Sequence, residues 1–65
     1  MNIKEIICFN ALASTLNFTK AADELFISQP AFSRIIISLE KELGGAVIIR
    51  DKKNPRLTPL GENIF

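Results

Sequence analysis

The sequence predicts a mainly α-helical domain of three helices, a two-stranded β wing and the start of a fourth helix. Three observations support this fold class. Apolar residues recur at steps of three and four through residues 3–16, as in a helix with one buried face. A second amphipathic stretch opens with Ser28 and ends at Gly44. A β-branched run then follows the second of two adjacent glycines, which favours a strand.

Length and composition limit the classes of protein that the chain can represent. Its 65 residues form one small domain, because a chain this short buries only about 60% of its unfolded surface. A hydrophobic content of 48% argues against intrinsic disorder, since the chain has enough apolar area to offset the entropy of ordering. The absence of histidine and the single Cys8 exclude a zinc site and an intrachain disulfide framework. We therefore expect no metal and no cofactor.

The composition also argues against an enzyme and against a membrane protein. No nucleophile stands beside a base, and no glycine-rich phosphate loop is present, so we expect no catalytic residues. No apolar run approaches the roughly 20 residues of a membrane span, and Glu5 and Asn10 interrupt the apolar start. Cys8 lies among apolar residues and is predicted to be a buried hydrophobe. Its lone thiol favours the reducing cytoplasm.

The first two helices follow from periodicity and cap chemistry. Thr19 is predicted to cap the second helix, which covers residues 20–26. Ala21 and Ala22 on that helix allow another helix to approach closely. The first helix covers residues 3–16 and is expected to bury Ile3, Ile6, Ile7, Phe9, Leu12, Ala13 and Leu16.

The third helix begins almost directly after the second. Ser28 is a predicted N-cap, Pro30 lies in the first turn, where its missing N–H removes no helical bond, and Gly44 closes the helix. Phe26 and Ile27 come directly before Ser28 at the end of the second helix, so the two helices should meet across a tight turn. At about 100° per residue, the core stripe of this helix comprises Phe32, Ile36, Leu39 and Leu43, with Ile35 at its flank. The opposite side comprises Ser33, Arg34, Ile37, Ser38 and Lys41.

The last third of the chain predicts a wing and a further helix. Residues 46–50 and 56–58 read as two short strands joined by a turn, with Lys52 and Lys53 at the tip. Although the net charge is only +1, four of the eight basic residues fall between Arg50 and Arg56. Thr58 followed by proline predicts a fourth helix over residues 59–65. The domain therefore covers residues 1–58, and residues 59–65 begin a linker helix.

This order of elements is a winged helix-turn-helix, with the helix-turn-helix at about 18–37 and the wing at about 46–58. A major groove about 12 Å wide admits one helix, whose N-terminal residues reach the base edges. The Gln29 amide can hydrogen-bond to adenine, and the Arg34 guanidinium can hydrogen-bond to guanine or to a phosphate. Ser33 is short enough for the helix to approach the DNA closely, and Pro30 can contact a thymine methyl. Each residue alone is also typical of a solvated surface. Together, on one face behind a tight turn, they predict DNA contact.

A resemblance to a known family adds to this interpretation. The chain resembles the N-terminal domain of LysR-type transcriptional regulators over nearly its whole length, without gaps. The matching motifs are Ala21-Ala22, Ser28-Gln29-Pro30, Ser33-Arg34, Leu39-Glu40, Leu43-Gly44, Leu57-Thr58 and Gly61.

The resemblance implies partners and residue roles. It implies sequence-specific binding of double-stranded DNA at interrupted palindromes by a homodimer, with a small-molecule effector bound only through a C-terminal domain outside this segment. The implied groove-reading residues are Gln29, Pro30, Ser33 and Arg34. Thr19 and Ser28 would lie near the DNA backbone, and Lys52 and Lys53 would lie on the wing.

Some positions depart from the family pattern. Leu16 stands where glycine is usual, so we expect Asn17 to take the left-handed conformation instead. Ile48 replaces a usual phenylalanine at the base of the wing. Ile35 and Ile37 stand where polar residues are common. They support an alternative function, in which the winged helix docks a partner protein on these two side chains.

Overall fold

The computed structural model describes all residues, Met1–Phe65, and confirms the mainly α, winged helix-turn-helix architecture. β1 and β2 form an antiparallel pair in which Ile48 faces Leu57 and Ile49 faces Arg56. No helix combines the length and the apolar character needed to cross a bilayer. The elements are α1 (Ile3–Thr15), α2 (Phe18–Glu24), α3 (Gln29–Leu43), β1 (Ile48–Ile49), β2 (Arg56–Leu57) and α4 (Pro59–Ile64).

The buried face of α1 differs from the predicted one. It is formed by Glu5, Cys8, Phe9 and Leu12, whereas Ile3, Ile6 and Ile7 are exposed. At about 100° per residue, Ile3 and Ile7 point away from this face. Glu5 tolerates burial because it completes a capping box, in which the Asn2 side chain accepts from its N–H at 2.8 Å and its carboxylate accepts from the Asn2 N–H at 3.1 Å.

The junction between α1 and α2 corrects two predictions. Leu16, not Asn17, takes the left-handed conformation, with φ 53°, and its N–H closes α1 on the Leu12 carbonyl. Asn17, not Thr19, caps α2, because its side-chain oxygen accepts from the Lys20 N–H at 3.0 Å. α2 therefore begins at Phe18, two residues earlier than predicted, and Thr19 lies inside its first turn.

The turn between α2 and α3 is longer than predicted, because α2 ends at Glu24 rather than Phe26. Leu25 is the C-cap, and Phe26 follows with a left-handed φ of 56°. The N–H of Ile27 then returns to the Ala22 carbonyl at 3.0 Å. This closure leaves the Phe26 side chain 97% exposed.

α3 confirms the predicted caps and most of the predicted core stripe. The Ser28 hydroxyl accepts from the Ala31 N–H, and Gly44 closes the helix with φ 80°. Leu43 is half-buried rather than fully buried. α1, α2 and α3 pack around a single core, in which Phe18 and Phe32 meet edge to face at 5.9 Å. The buried apolar residues are Cys8, Phe9, Leu12, Ala21, Ala22, Phe32, Ile36, Leu39, Val47 and Ile48.

Both strands of the wing are shorter than predicted, with two residues each. Val47 lies outside the strand because its N–H donates to the Glu40 carboxylate at 2.9 Å. Thr58 holds the base of the wing together, since its N–H donates to the Val47 carbonyl and its hydroxyl to the Ala46 carbonyl. The same hydroxyl accepts from the Gly61 N–H, so Thr58 is the predicted N-cap of α4.

Candidate nucleic-acid interface

The first two turns of α3 project from the domain as the sequence predicts. Gln29, Pro30 and Arg34 are exposed, and Ser33 is half-buried. These residues face away from the core because the opposite side of α3 packs Phe32 and Ile36 into it. Polar side chains of suitable length for base edges are therefore held on a helix that the core fixes in place.

The turn between α2 and α3 brings two predicted site residues together. The Thr19 hydroxyl donates to Oε1 of Gln29 at 3.2 Å. Thr19 is free to do so because Asn17 provides the cap of α2. Ser28 has a different role, because its side-chain oxygen accepts a hydrogen bond from the Ala31 N–H at 3.3 Å and caps α3.

A cleft of about 480 Å³ separates the two helices from the wing. It gathers four of the predicted site residues, namely Thr19, Gln29, Ser33 and Lys52, whereas Ser28, Pro30, Arg34 and Lys53 lie outside it. Most of its lining is polar. The lining residues are Leu16, Asn17, Phe18, Thr19, Gln29, Ser33, Arg50, Asp51, Lys52 and Pro55.

Arg50 lines this cleft although it is absent from the predicted site. Its guanidinium stands 4.8 Å from the centre of the Phe18 ring and donates to the Glu40 carboxylate at 3.1 Å. Glu40 uses its other oxygen to accept from the Val47 N–H. Arg50 therefore has a defined position between α2, α3 and the wing. The sequence signals for Arg50 are its membership of the basic cluster and its place in the pattern that resembles the family. Neither indicates its contacts, because Phe18 and Glu40 are not near it in the chain.

The tip of the wing carries the predicted lysines. Lys52 and Lys53 are exposed in the connection between β1 and β2. The Lys53 N–H donates to the Asp51 side chain at 2.9 Å, which orders the turn. Arg56 in turn donates to the Asn54 carbonyl at 3.2 Å. The wing thus presents cations from a turn that is stabilised by its own hydrogen bonds.

The apolar pair behind the alternative function does not form one exposed patch. Ile37 is 42% exposed on the same side of α3 as Ser33 and Arg34. Ile35, however, is half-buried and packs against the core. The predicted docking surface is therefore reduced to Ile37 on this face.

Metal-ligating clusters and the single thiol are the remaining features to place. No cluster of three or more acidic or cysteine side chains could hold a metal ion. Cys8 is buried, as the sequence predicts. Burial raises the pKa of its thiol, and the nearby Lys4 charge opposes this in part. The thiol is therefore protonated at neutral pH and is a packing group.

Comparison with known proteins agrees with this geometry. Residues 3–62 match the family model described as bacterial regulatory helix-turn-helix protein, lysR family. The transcriptional regulator EstR of Acinetobacter baylyi is 41% identical over 63 residues, a match covering 97% of this chain and 21% of that protein. The chain spans about a fifth of the length of the curated relatives that it matches.

The similar solved structures include complexes with DNA. The DNA-binding domain of BenM in complex with benA site 1 DNA superposes with a TM-score of 0.91 at 39% identity, covering 98% of this chain and 72% of that one. The DNA-binding domain of CbnR in its DNA complex gives a TM-score of 0.92 at 31% identity, covering 98% and 74%. The family model describes a regulatory protein and EstR is a transcriptional regulator, which agrees with the prediction that the chain is not an enzyme.

Proposed function

Because the chain belongs to the lysR family of bacterial regulatory helix-turn-helix proteins, we propose that it binds double-stranded DNA sequence-specifically as the N-terminal domain of a transcriptional regulator. The observation that carries this proposal is the exposed N-terminal half of α3. Its polar residues stand free of the core, while the residues behind them are fully buried.

We assign groove reading to α3. Arg34 can donate two hydrogen bonds to guanine, and Gln29 can pair with adenine through both atoms of its amide. Pro30 offers an apolar contact to a thymine methyl, and Ser33 is short enough to allow close approach. Ser28 lies at the positive end of the helix dipole, where free N–H groups favour a phosphate.

The wing supplies the second contact in this proposal. A helix in the major groove and a wing beside it straddle one sugar-phosphate strand, and the cleft between them is lined by hydroxyl, amide and cationic groups. Lys52 lines this cleft and Lys53 lies outside it, and both can neutralise phosphates or enter the minor groove. Such contacts position the protein without selecting a sequence.

The organisation of the whole protein is part of the same proposal. We take residues 1–58 as the DNA-binding domain and residues 59–65 as the start of a linker helix. The target would be an interrupted palindrome bound by a homodimer, and a small-molecule effector would bind in a C-terminal domain outside this segment. A regulator of bacterial transcription meets its DNA in the cytoplasm, so we place its function there.

Selection of bound sequences from random duplexes tests this function directly. The wild-type chain should recover a preferred site. Gln29→Ala and Arg34→Ala should each relax preference at one base position by about 1–3 kcal/mol, because each removes a base-edge hydrogen-bonding pair. Asn63→Ala is the matched control, since it removes an exposed amide from α4. Unchanged preference in both α3 variants would contradict the assigned roles.

Salt dependence separates DNA binding from the protein-docking alternative. The logarithm of the affinity should fall with the logarithm of salt concentration, with a slope of about −0.9 for each phosphate neutralised. Lys52→Ala and Lys53→Ala should make the slope shallower without changing base preference. Binding that ignores salt and depends on Ile37 would favour a protein partner instead.

A further inference from the structure

We propose that Thr19 is a positioning residue that fixes the amide of Gln29 and thereby sets the base that Gln29 selects. This inference rests on the proposed DNA-binding function. It also replaces the role that the family resemblance implies for Thr19, which is contact with the DNA backbone. The evidence is a side-chain hydrogen bond between α2 and α3 that neither helix needs for its capping.

The first step is the geometry of the pair. Thr19 Oγ1 donates to Gln29 Oε1 at 3.2 Å across the turn that joins α2 to α3. Both side chains are exposed and line the cleft beside the wing. The bond is not needed to cap either helix, because Asn17 caps α2 and Ser28 caps α3. It acts on the orientation of Gln29 alone.

The second step is the chemistry of the glutamine amide. Its terminal torsion is broad and nearly two-fold, so the oxygen and nitrogen ends exchange places easily on a free side chain. Reading adenine requires the oxygen to accept from N6 and the nitrogen to donate to N7. A free glutamine would have to be ordered into this arrangement when it binds.

The third step is what the threonine hydroxyl leaves available. The Thr19 hydroxyl donates to one lone pair of Gln29 Oε1, and the oxygen end of the amide therefore lies toward α2. The second lone pair and both N–H groups stay available for a base edge. The amide is therefore oriented before binding, with one acceptor and two donors free, which matches the edge of adenine.

The size of the effect follows from one such hydrogen bond. A net contribution of about 0.5–1.5 kcal/mol corresponds to a factor of about 2 to 10 in preference. Thr19→Val keeps the branched shape and removes the hydroxyl, so preference at the Gln29 base should fall about 2- to 10-fold. Preference at the other positions should stay unchanged. Thr19→Ser restores the hydroxyl and should restore the preference.

The experiment uses the 65-residue chain and its selected duplex, with all four bases placed in turn at each position. Affinities are measured for wild type, Thr19→Val, Thr19→Ser, Gln29→Ala and the double variant Thr19→Val/Gln29→Ala. In the double variant, Thr19→Val should add nothing to the loss at the Gln29 position. Ser14→Ala is the control, because it removes an exposed hydroxyl from α1.

Two results would overturn the inference while leaving the proposed function intact. One is a Thr19→Val variant with full preference at the position that Gln29→Ala relaxes. The other is a uniform loss of affinity for every duplex with base preference unchanged, which is the signature of a hydroxyl that contacts the DNA backbone. A wild-type chain with no preference at any position would instead refute the proposed function. Circular dichroism confirms that each variant is folded.

Discussion

At the scale of single residues, two non-glycine residues have the left-handed backbone conformation that glycine adopts most easily. Leu16 and Phe26 both have positive φ, at 53° and 56°. This conformation costs a residue with a Cβ about 1–2 kcal/mol. Leu16 compensates by packing against the core. Phe26 does not, because it is 97% exposed.

This contrast predicts opposite effects of the same substitution. Phe26→Gly should raise the free energy of unfolding by up to about 1 kcal/mol, because it relieves the backbone and loses no packing. The gain is limited by the greater entropy that glycine gives the unfolded chain. Leu16→Gly should be destabilising, because packing is lost. Urea denaturation of both variants measures the difference, and a destabilised Phe26→Gly would show that the exposed ring contributes to folding.

Cys8 predicts a pH dependence of stability. Burial raises the pKa of its thiol in the folded state, so the folded protein holds its proton more tightly than the unfolded chain does. The contribution of the thiol to the free energy of unfolding is therefore fully present below its ordinary pKa of about 8.5. It is lost as the pH rises through the raised pKa of the folded state. Cys8→Ala should remove this component. Urea denaturation at pH 7 and pH 9.5 measures it, and an identical loss in both proteins would contradict the prediction.

Some of the helix caps could be predicted from the local sequence and others could not. Ser28, Gly44 and Thr58 have the cap roles predicted for them, because each stands beside an unambiguous helix signal. Thr19 does not, because Asn17 two residues earlier is an equally good cap and Leu16 ends α1 just before it. Two adjacent cap candidates cannot be ranked from local sequence alone. The hydroxyl left free by this outcome is the one that reaches Gln29.

At the scale of elements, the packing of α4 on the base of the wing depends on one glycine. Gly61 is buried, and a Cβ placed on it would lie 2.2 Å from the Val47 carbonyl oxygen. That oxygen is held in place, since it accepts from the Thr58 N–H. The neighbouring Gly45 is less restricted, because a Cβ there would meet only the end of the Leu60 side chain at 3.3 Å.

Gly61→Ala should therefore destabilise the domain, although alanine is the better helix former. The intrinsic preference favours alanine by about 1 kcal/mol, whereas forced overpacking against backbone costs about 1–3 kcal/mol. We expect a lower midpoint of denaturation. Asn63→Ala on the exposed side of α4 is the control and should change stability by no more than about 0.5 kcal/mol. A stabilised Gly61→Ala would show that α4 can move away from the wing.

Element lengths were predictable only where the chain carries its own boundary signals. The wing strands are shorter than the β-branched run suggests, because the Val47 N–H donates to the Glu40 carboxylate and only the Val47 carbonyl pairs with Thr58 opposite it. These partners are distant in sequence. Likewise, the exposure of Ile3 and Ile7 follows from a helix that turns its Cys8 and Glu5 side inward. Periodicity locates a helix but does not choose between two partly apolar faces.

At the scale of the whole molecule, the fold was predictable and the details of the interface were less so. The outward position of Gln29, Pro30 and Arg34 could be predicted because one helix carries them on the side away from Phe32 and Ile36. The position of Arg50 could not, since it depends on Phe18 and Glu40 from two other elements. Its contacts join residues far apart in the chain. Such contacts become visible only when the elements are assembled.

The links through Val47 extend from one end of this assembly to the other. Glu40 of α3 holds the Val47 N–H, and Thr58 and Gly61 lie against the Val47 carbonyl at the start of α4. Val47 therefore connects α3 to the start of α4 through hydrogen bonds of its N–H and its carbonyl. If two copies of the chain are joined through α4, the distance between their DNA-reading helices is fixed by that joint. Half-site spacing would then be set by how the α4 helices pair.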